Sequence, residues 1–422
     1  MKNIYLFLTL LAPLFTVAQN APDTTQKIMP SRTNSRQQQL KPYVILISAD
    51  GFRYDLADKY HATNLLSLRA GGVAAQSMKP SYPSLTFPNH YSIATGLYPA
   101  HHGLVDNSFY DPKKKEAYRI AGKCVTDSSW YGGTPIWVLA EKQQMLTASS
   151  YWVGSEAAIQ GVRPTYYYTY NTAIGIDARI NTVKNWLTLP EEKRPHLITF
   201  YLPEVDHAEH SFGVDSKETA DAVRFVDDCV GRMTHIVDSL KLDASFIFVA
   251  DHGMADIDTS VAPLRLASII DTSKFVVTPG NIIMHLYAKN KADVQSAYDA
   301  LKKAAASYDV YLADNMPAKW HYSTKEDRYG RLGDIIIIAK FKQVLPFDKQ
   351  HFTPTAHGTH GYDNDEQDMQ ASFYAWGPAF KQHVQIKPFA NVDVYPLIAK
   401  MLGLTLEDSI DGSVKTLQGI LR

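Results

Sequence analysis

Three apolar segments of strand length each run into a residue type that binds metal, and this constrains the fold more than any other feature of the chain. Asp50 closes Tyr43-Val44-Ile45-Leu46-Ile47-Ser48-Ala49. Asp206 and His210 lie just past Leu197-Ile198-Thr199-Phe200-Tyr201-Leu202, and Asp251-His252 directly follows Ser245-Phe246-Ile247-Phe248-Val249-Ala250. In an open α/β sheet, ligands bind in the crevice beyond the carboxyl ends of the strands. Three separate strands therefore bring carboxylates and imidazoles to one edge, where a two-metal phosphoryl-transfer site needs them. The pattern is that of a metallohydrolase.

Strand-length runs alternate with helical patterns from Lys41 to about Met254, the signature of a mostly parallel sheet with helices on both faces. The spacing predicts helices over 63–70, 134–144, 176–188 and 217–240. The last carries Val223, Val226, Val230, Met233, Val237 and Leu240 on one stripe. Residues 257–354 break this rhythm, with strand-like 281–287 and 334–339 around a helical 292–306. They read as a smaller inserted α+β domain, leaving 41–256 and 355–422 as the catalytic α/β core.

Residues 1–19 read as an export signal: Lys2 precedes a short apolar stretch from Ile4 to Val17, and Thr16-Val17-Ala18-Gln19 offers a small-residue cleavage site. The stretch is too short for a stable membrane span. The expected location is periplasmic or secreted. Residues 20–40, rich in Gln, Ser, Thr and Asn without apolar periodicity, read as a disordered leader. A formal net charge of −1 lacks the basic footprint that polymeric nucleic acid favours. A small anionic substrate could still be held by local positive charge, which bound metal would provide; oligomeric state is not legible. Cys124 and Cys229 are too few for a thiolate zinc site, so a metal here must use Asp and His. Whether they pair as a disulfide is left open by the sequence.

Asp206 and His210 stand four residues apart, so on a helix they share one face and can chelate one cation; a solvated helix surface also gives this spacing. Asp251-His252 is more telling, because an unpartnered charge at the end of a buried strand is costly; a structural ion pair is the plain alternative. His357-Gly358-Thr359-His360 adds two histidines in a glycine-rich turn. Upstream, Pro83-Ser84-Leu85-Thr86-Phe87-Pro88-Asn89-His90 supplies hydroxyls at Ser84 and Thr86, next to a helix-like segment. A hydroxyl is a poor nucleophile unless a base or metal activates it. No Gly-x-Ser-x-Gly elbow is present, which disfavours a Ser-His-Asp hydrolase, and metal activation of Thr86 fits the other residues.

Asp50-Gly51-Phe52-Arg53, Thr86-Phe87-Pro88-Asn89-His90, Gly103-Leu104-Val105-Asp106-Asn107, Glu204-Val205-Asp206-His207-Ala208-Glu209-His210, Asp251-His252-Gly253-Met254 and His357-Gly358-Thr359-His360-Gly361-Tyr362 together resemble the nucleotide pyrophosphatase/phosphodiesterase branch of the alkaline phosphatase superfamily, from about residue 41 to 402. The resemblance implies an alkaline-phosphatase-like α/β fold and two Zn2+ per chain. One zinc would be held by Asp206, His210 and His360, the other by Asp50, Asp251, His252 and Thr86, with Thr86 as nucleophile. His207 and His357 match no ligand position. Asn107, with the Thr86 backbone N–H, would contact a non-bridging phosphate oxygen; Phe87 and Tyr170 would clamp a nucleobase, with Tyr201 nearby. The implied reaction cleaves nucleoside 5′-phosphodiester or pyrophosphate bonds through a covalent phosphothreonine. The chain departs from the family pattern at Trp152-Val153-Gly154-Ser155, where family members that use nucleotides often have Trp-Pro-Gly-Ser, and at Ser108, an often basic position. A phospholipid-headgroup phosphodiesterase of the choline-releasing kind and a phosphomonoesterase are the rival readings. A sulfatase lacks its nucleophile motif here, and a catalytically silent scaffold need not keep all six ligands.

Overall fold

A computed structural model describes residues 23–258, 260, 264–345 and 356–422. A nine-stranded sheet forms its centre, in the order Lys27–Ile28, Tyr166–Tyr168, Thr147–Ser150, Leu197–Leu202, Tyr43–Ala49, Ala244–Val249, Phe373–Trp376, Val73–Ala75 and Val384–Ile386. The five strands from Tyr166–Tyr168 to Ala244–Val249 are mutually parallel; Phe373–Trp376 runs antiparallel to both its neighbours. Every residue of Tyr43–Ala49 and Ala244–Val249 is buried, as a sheet covered on both faces by helices demands. One group of covering helices packs Thr63–Gly71, Ile176–Leu187 and Glu204–Phe212 against the long Lys217–Ser239. Another gathers Thr86–Thr95 and Ile136–Lys142 on Val394–Leu402. The fold is the expected mixed α/β sandwich, and the four expected core helices lie within two residues of their predicted bounds.

Register explains why the site forms where it does. Ala49 pairs with Leu202, and Ser48 with Val249, so the carboxyl ends of the three central strands stop at one level. The chain turns at once after each. Asp50 N–H donates to Leu202 O at 2.8 Å, and Asp206 N–H to Asp50 O at 3.1 Å, tying the first two ends together. Gly51 follows with φ of 71°, a left-handed conformation that glycine adopts at no steric cost. A Cβ there would sit 3.1 Å from the Asp206 Cα, so the close approach of the two strand ends depends on this glycine.

Between Phe275 and Ala339 the chain builds a separate antiparallel sheet, ordered Phe275–Thr278, Ile283–Ala288, Ile335–Ala339 and Tyr308–Leu312, with helix Val294–Ala304 packed on it. It lies against the hairpin strand Ser108–Asp111 of the core.

The leader expected over 20–40 needs correction. Residues 1–22, and with them the predicted export signal at 1–19, lie outside the described residues, but 23–40 are structured. Lys27–Ile28 pairs antiparallel with Tyr166–Tyr168 at the sheet edge. The buried Asn34 amide donates to Glu191 O and Arg194 O and accepts the Leu146 N–H at 2.7 Å, while Gln38 Nε2 donates to Gln143 O at 2.9 Å. The polar composition that reads as disorder serves instead to satisfy backbone groups at the ends of core elements.

Candidate active site

Asp50, Asp206, His210, Asp251, His252 and His360 meet at the strand ends. Asp50, Asp251 and His252 offer donor atoms all within 4.8 Å of one another, and so do Asp206, His252 and His360. His210, on the helix Glu204–Phe212, places Nε2 3.3 Å from Asp206 Oδ1, so the four-residue spacing does bring both onto one helix face. His252 and His360 stack with ring centroids 3.6 Å apart.

The hydrogen bonds around the cluster show which atoms are left for a ligand. His210 Nδ1 donates to Gly358 O at 2.8 Å, His252 Nδ1 to Gly253 O at 2.9 Å, and His360 Nδ1 to Ser84 O at 2.8 Å. Each imidazole is thereby fixed as the tautomer with a bare Nε2, the arrangement that backbone carbonyls give metal-binding histidines. All three Nε2 atoms point at carboxylates. Asp50 Oδ1, Asp206 Oδ1 and Asp251 Oδ2 are buried without a hydrogen-bond donor of their own. Orphaned buried carboxylate oxygens facing bare imidazole nitrogens are costly unless a cation joins them. The residues present therefore fit a pair of divalent ions.

Electrostatics agree. Burial, then the Asp251 and Asp206 carboxylates beside it, push Asp50 well above the ordinary carboxylate range. Burial would raise Asp206 as well, yet His210, His360 and His252 draw it down to about 2. Asp251 is held well below the usual range by His252 and His90 despite its burial. Burial and the neighbouring His252 push His360 down to about 3, leaving it neutral and able to ligate. A cluster in which one of three carboxylates resists ionisation lacks positive charge.

Thr86 opens the helix Thr86–Thr95, and its Oγ1 lies 3.2 Å from His252 Nε2. First-turn N–H groups have no partner within a helix and favour anions. Phe87 N–H is taken by Asn107 Oδ1 at 3.0 Å, which turns the other end of that amide, the Nδ2 donor, free. Ser84 donates to Tyr362 O and is buried, which removes it as a rival nucleophile.

The chain belongs to the type I phosphodiesterase/nucleotide pyrophosphatase family. A model of that family matches residues 44–363. Ectonucleotide pyrophosphatase/phosphodiesterase family member 1 of Mus musculus is 33% identical over 384 residues, covering 86% of this chain and 41% of its own length. Venom phosphodiesterase 2 of Crotalus adamanteus is 32% identical over 373 residues, with 86% and 45% covered. The chain thus spans less than half the length of these relatives. Murine ectonucleotide pyrophosphatase/phosphodiesterase 5 superposes with a TM-score of 0.83 at 27% identity, covering 90% of this chain and all of that one. A second structure of the same murine protein, described as inactive through a threonine-to-alanine substitution, is in complex with AMP.

The aromatic residues the family motif singles out sit at the rim. Phe87 is half-buried against Tyr118, and Tyr170 is exposed, 6.3 Å from the Tyr201 ring. Tyr201 does more than line the rim: its hydroxyl donates to Asp50 Oδ2 at 2.5 Å, turning Oδ1 toward His252. His207 and His357 are exposed and outside the cluster. Trp152 is buried under the site, with its indole N–H on His90 O, and Cys124 and Cys229 are free thiols.

His90 is the residue that sequence reasoning left without a role. Fully buried, it places Nε2 2.9 Å from Ser48 Oγ, and Nδ1 3.0 Å from Thr86 O and 3.2 Å from Asp251 Oδ2. It links the central strand, the Thr86 turn and the Asp251 carboxylate. The only signal was its place four residues after Thr86 on one helix.

Proposed function

We propose that this chain is an exported, two-zinc nucleotide pyrophosphatase/phosphodiesterase that cleaves nucleoside 5′-phosphodiester or pyrophosphate bonds and releases the nucleoside 5′-monophosphate. The observation that carries the reading is the pair of buried Asp/His groups sharing His252, with Thr86 Oγ1 3.2 Å from that ring. Asp206, His210 and His360 would hold one ion, and Asp50, Asp251 and His252 the other, beside Thr86. When bound, the ions supply positive charge that lowers the pKa of the hydroxyl and stabilises charge on the departing oxygen. Zinc suits a set of three carboxylates and three imidazoles better than magnesium does.

The remaining steps fall to the chain itself. Thr86 Oγ1 bonds to phosphorus as the leaving oxygen departs, and water then cleaves the phosphothreonine. Asn107, its Oδ1 held by Phe87 N–H, offers Nδ2 to a non-bridging oxygen. Phe87 and Tyr170 would flank the base. The nucleotide reading draws support from the AMP complex of the murine relative. Leu85, Asn107, Ser108, His210, Asn281 and Ile282 line a cleft of about 260 Å3 next to the cluster, space for a leaving group. Core residues 41–256 and 355–422 would carry the chemistry, and 257–354 the insertion. Export follows from the reading of residues 1–19; no helix among the described residues is long and apolar enough to cross a membrane.

The test compares kcat/KM of the zinc-loaded protein on a p-nitrophenyl nucleoside 5′-monophosphate diester and on p-nitrophenyl phosphate. A large preference for the diester is expected, and a preference for the monoester overturns the reading. Thr86→Ala should abolish turnover of the diester while leaving zinc bound; undiminished activity sinks the nucleophile assignment.

A further inference from the structure

We propose that the antiparallel insertion sets the position of Asn107, with His285, Tyr322 and Arg331 as positioning residues for phosphoryl transfer. The inference rests on the reading of Asn107 as the phosphate contact and goes beyond it by assigning what holds that residue. Asn107 lies in an irregular stretch between helix Pro99–His102 and strand Ser108–Asp111, with no regular element to fix it.

What fixes that stretch comes from the insertion. His285, on the strand Ile283–Ala288, bridges Asp106 Oδ2 through Nε2 at 3.1 Å and Leu332 O through Nδ1 at 3.0 Å. The Tyr322 hydroxyl donates to Val105 O at 2.6 Å. Arg331 donates through Nε to Asp111 Oδ2 at 2.9 Å and through Nη1 to Gly103 O at 2.8 Å. The backbone cooperates: Gly103 has φ of 87°, and a Cβ there would come 2.7 Å from Arg331 Nη1.

These partners are all buried, His285 and Tyr322 completely and Arg331 to 1% exposure. Plain adhesion of the insertion needs none of them. Polar groups are costly to bury, and apolar packing would attach a subdomain without that cost. Their contacts instead fall on both sides of Asn107, at Val105 and Asp106 before it and at Asp111 after it. Asp106 Oδ1 also accepts the Ser108 N–H at 3.1 Å, so one carboxylate staples the turn that carries Asn107 to His285. Asn107 then hands the position on to the Thr86 turn through Phe87 N–H. A displacement of about 1 Å at a group that meets the transition state can cost about 10²-fold in rate.

A double-mutant cycle in the zinc-loaded full chain tests this, read as kcat/KM on the p-nitrophenyl nucleoside diester, with zinc content and thermal melting alongside. Asn107→Ala should cost about 10²-fold, the usual loss for one donor to a developing oxyanion. His285→Ala should cost about 10-fold, mostly in kcat, with two zinc retained. In the Asn107→Ala background the same His285 substitution should cost less than about twofold, because its effect passes through the missing amide. Asp106→Asn keeps one oxygen for the Ser108 N–H and presents an Nδ2 donor that His285 Nε2 can accept while Nδ1 donates to Leu332 O, so it should retain most activity. Equal losses from His285→Ala in both backgrounds overturn the inference. A full-strength Asn107→Ala enzyme overturns the phosphate-contact reading itself, a separate result. If His285→Ala does not melt cooperatively, Tyr322→Phe removes only the hydroxyl on Val105 O, and the same cycle decides.

Discussion

The two halves of the metal-facing cluster are built differently. Asp50, Asp251 and His252 have side chains no more than 2% exposed and sit on the ends of paired central strands. Tyr201 and the Gly51 N–H hold the outer oxygens of Asp50 and Asp251, and the buried His90 packs beside Asp251. Asp206, His210 and His360 come from a helix and a glycine-rich turn; the His210 side chain is 33% exposed, and both histidines border the cleft. The closed half stands beside Thr86, and in the proposed reaction it would fix where attack occurs. The open half borders the cleft, the side from which, in the proposed reaction, a leaving group would depart and water arrive. Rigidity is concentrated where geometry sets the rate, and access where molecules must exchange.

Removing one ligand from each half should expose that difference most sharply. Asp251→Ala strips partners from His252, His90 and the Gly51 N–H at once, so it should lose bound zinc and destabilise the fold by about 3–5 kcal/mol. His210→Ala removes a partly exposed ring and should leave the melting temperature near that of the parent protein. Both should lower kcat/KM by on the order of 10³-fold, since a catalytic ion is worth several kcal/mol. Zinc per chain after dialysis, melting temperature and rate are the readouts. Equal destabilisation by the two substitutions breaks the comparison.

The closed half was the more legible of the two in the sequence. Continuous apolar runs of six or seven residues rich in β-branched and aromatic side chains suit buried strands, and an Asp at the end of such a run is conspicuous. The spacing of Asp206 and His210 likewise needed only a helix to acquire meaning. What stayed hidden depends on distance along the chain. Tyr201 is expected only near the base clamp, yet its hydroxyl orients Asp50, some 150 residues away. His285 lies on the separate antiparallel sheet and meets Asp106 from 179 residues away, so no local pattern connects them. Polar residues 23–40 failed in the opposite sense, because hydrogen bonding to distant loop ends leaves no periodicity to read.

Removing the ions should turn the cluster into a source of pH-dependent instability, with a smaller effect than ligand removal. Asp50 is pushed well above its ordinary range by burial and neighbouring carboxylates. Burial alone would lower His210 and His252, but Asp206 and Asp251 beside them overcome it and raise both. Above about pH 6.5, the unfolded value for His, the metal-free fold therefore binds more protons than the unfolded chain, and its stability falls as pH rises. Asp206 and Asp251 are already deprotonated in both states there and add no slope, while His360, neutral in the fold, opposes the fall only near pH 6.5, where its unfolded imidazole still holds protons. In excess chelator the melting temperature should drop by a few degrees between about pH 6.5 and 8.5. With zinc bound the ligands are already deprotonated, and that drop should vanish. The same drop in the zinc-loaded protein would place its cause outside the cluster.

The smallest effect belongs at the rim, where the comparison between a closed interior and an open edge is most easily overdrawn. Tyr170 is 44% exposed, and its ring lies 5.3 Å from Tyr151 and 6.3 Å from Tyr201. Its N–H is anchored on Glu156 Oε1 at 2.7 Å, so the backbone holds the ring beside Tyr201 without help from the cluster. An aromatic stack is worth about 0.5–1.5 kcal/mol, so Tyr170→Ala should cut kcat/KM on a nucleoside ester by about 2- to 12-fold. The rate on a small aryl phosphodiester with no base should hold. Equal loss on both substrates would mean that the ring acts on the cluster through the groups packed behind it, among them Tyr201 on Asp50. The rim would then be an extension of the closed half, and base recognition would have to be sought elsewhere.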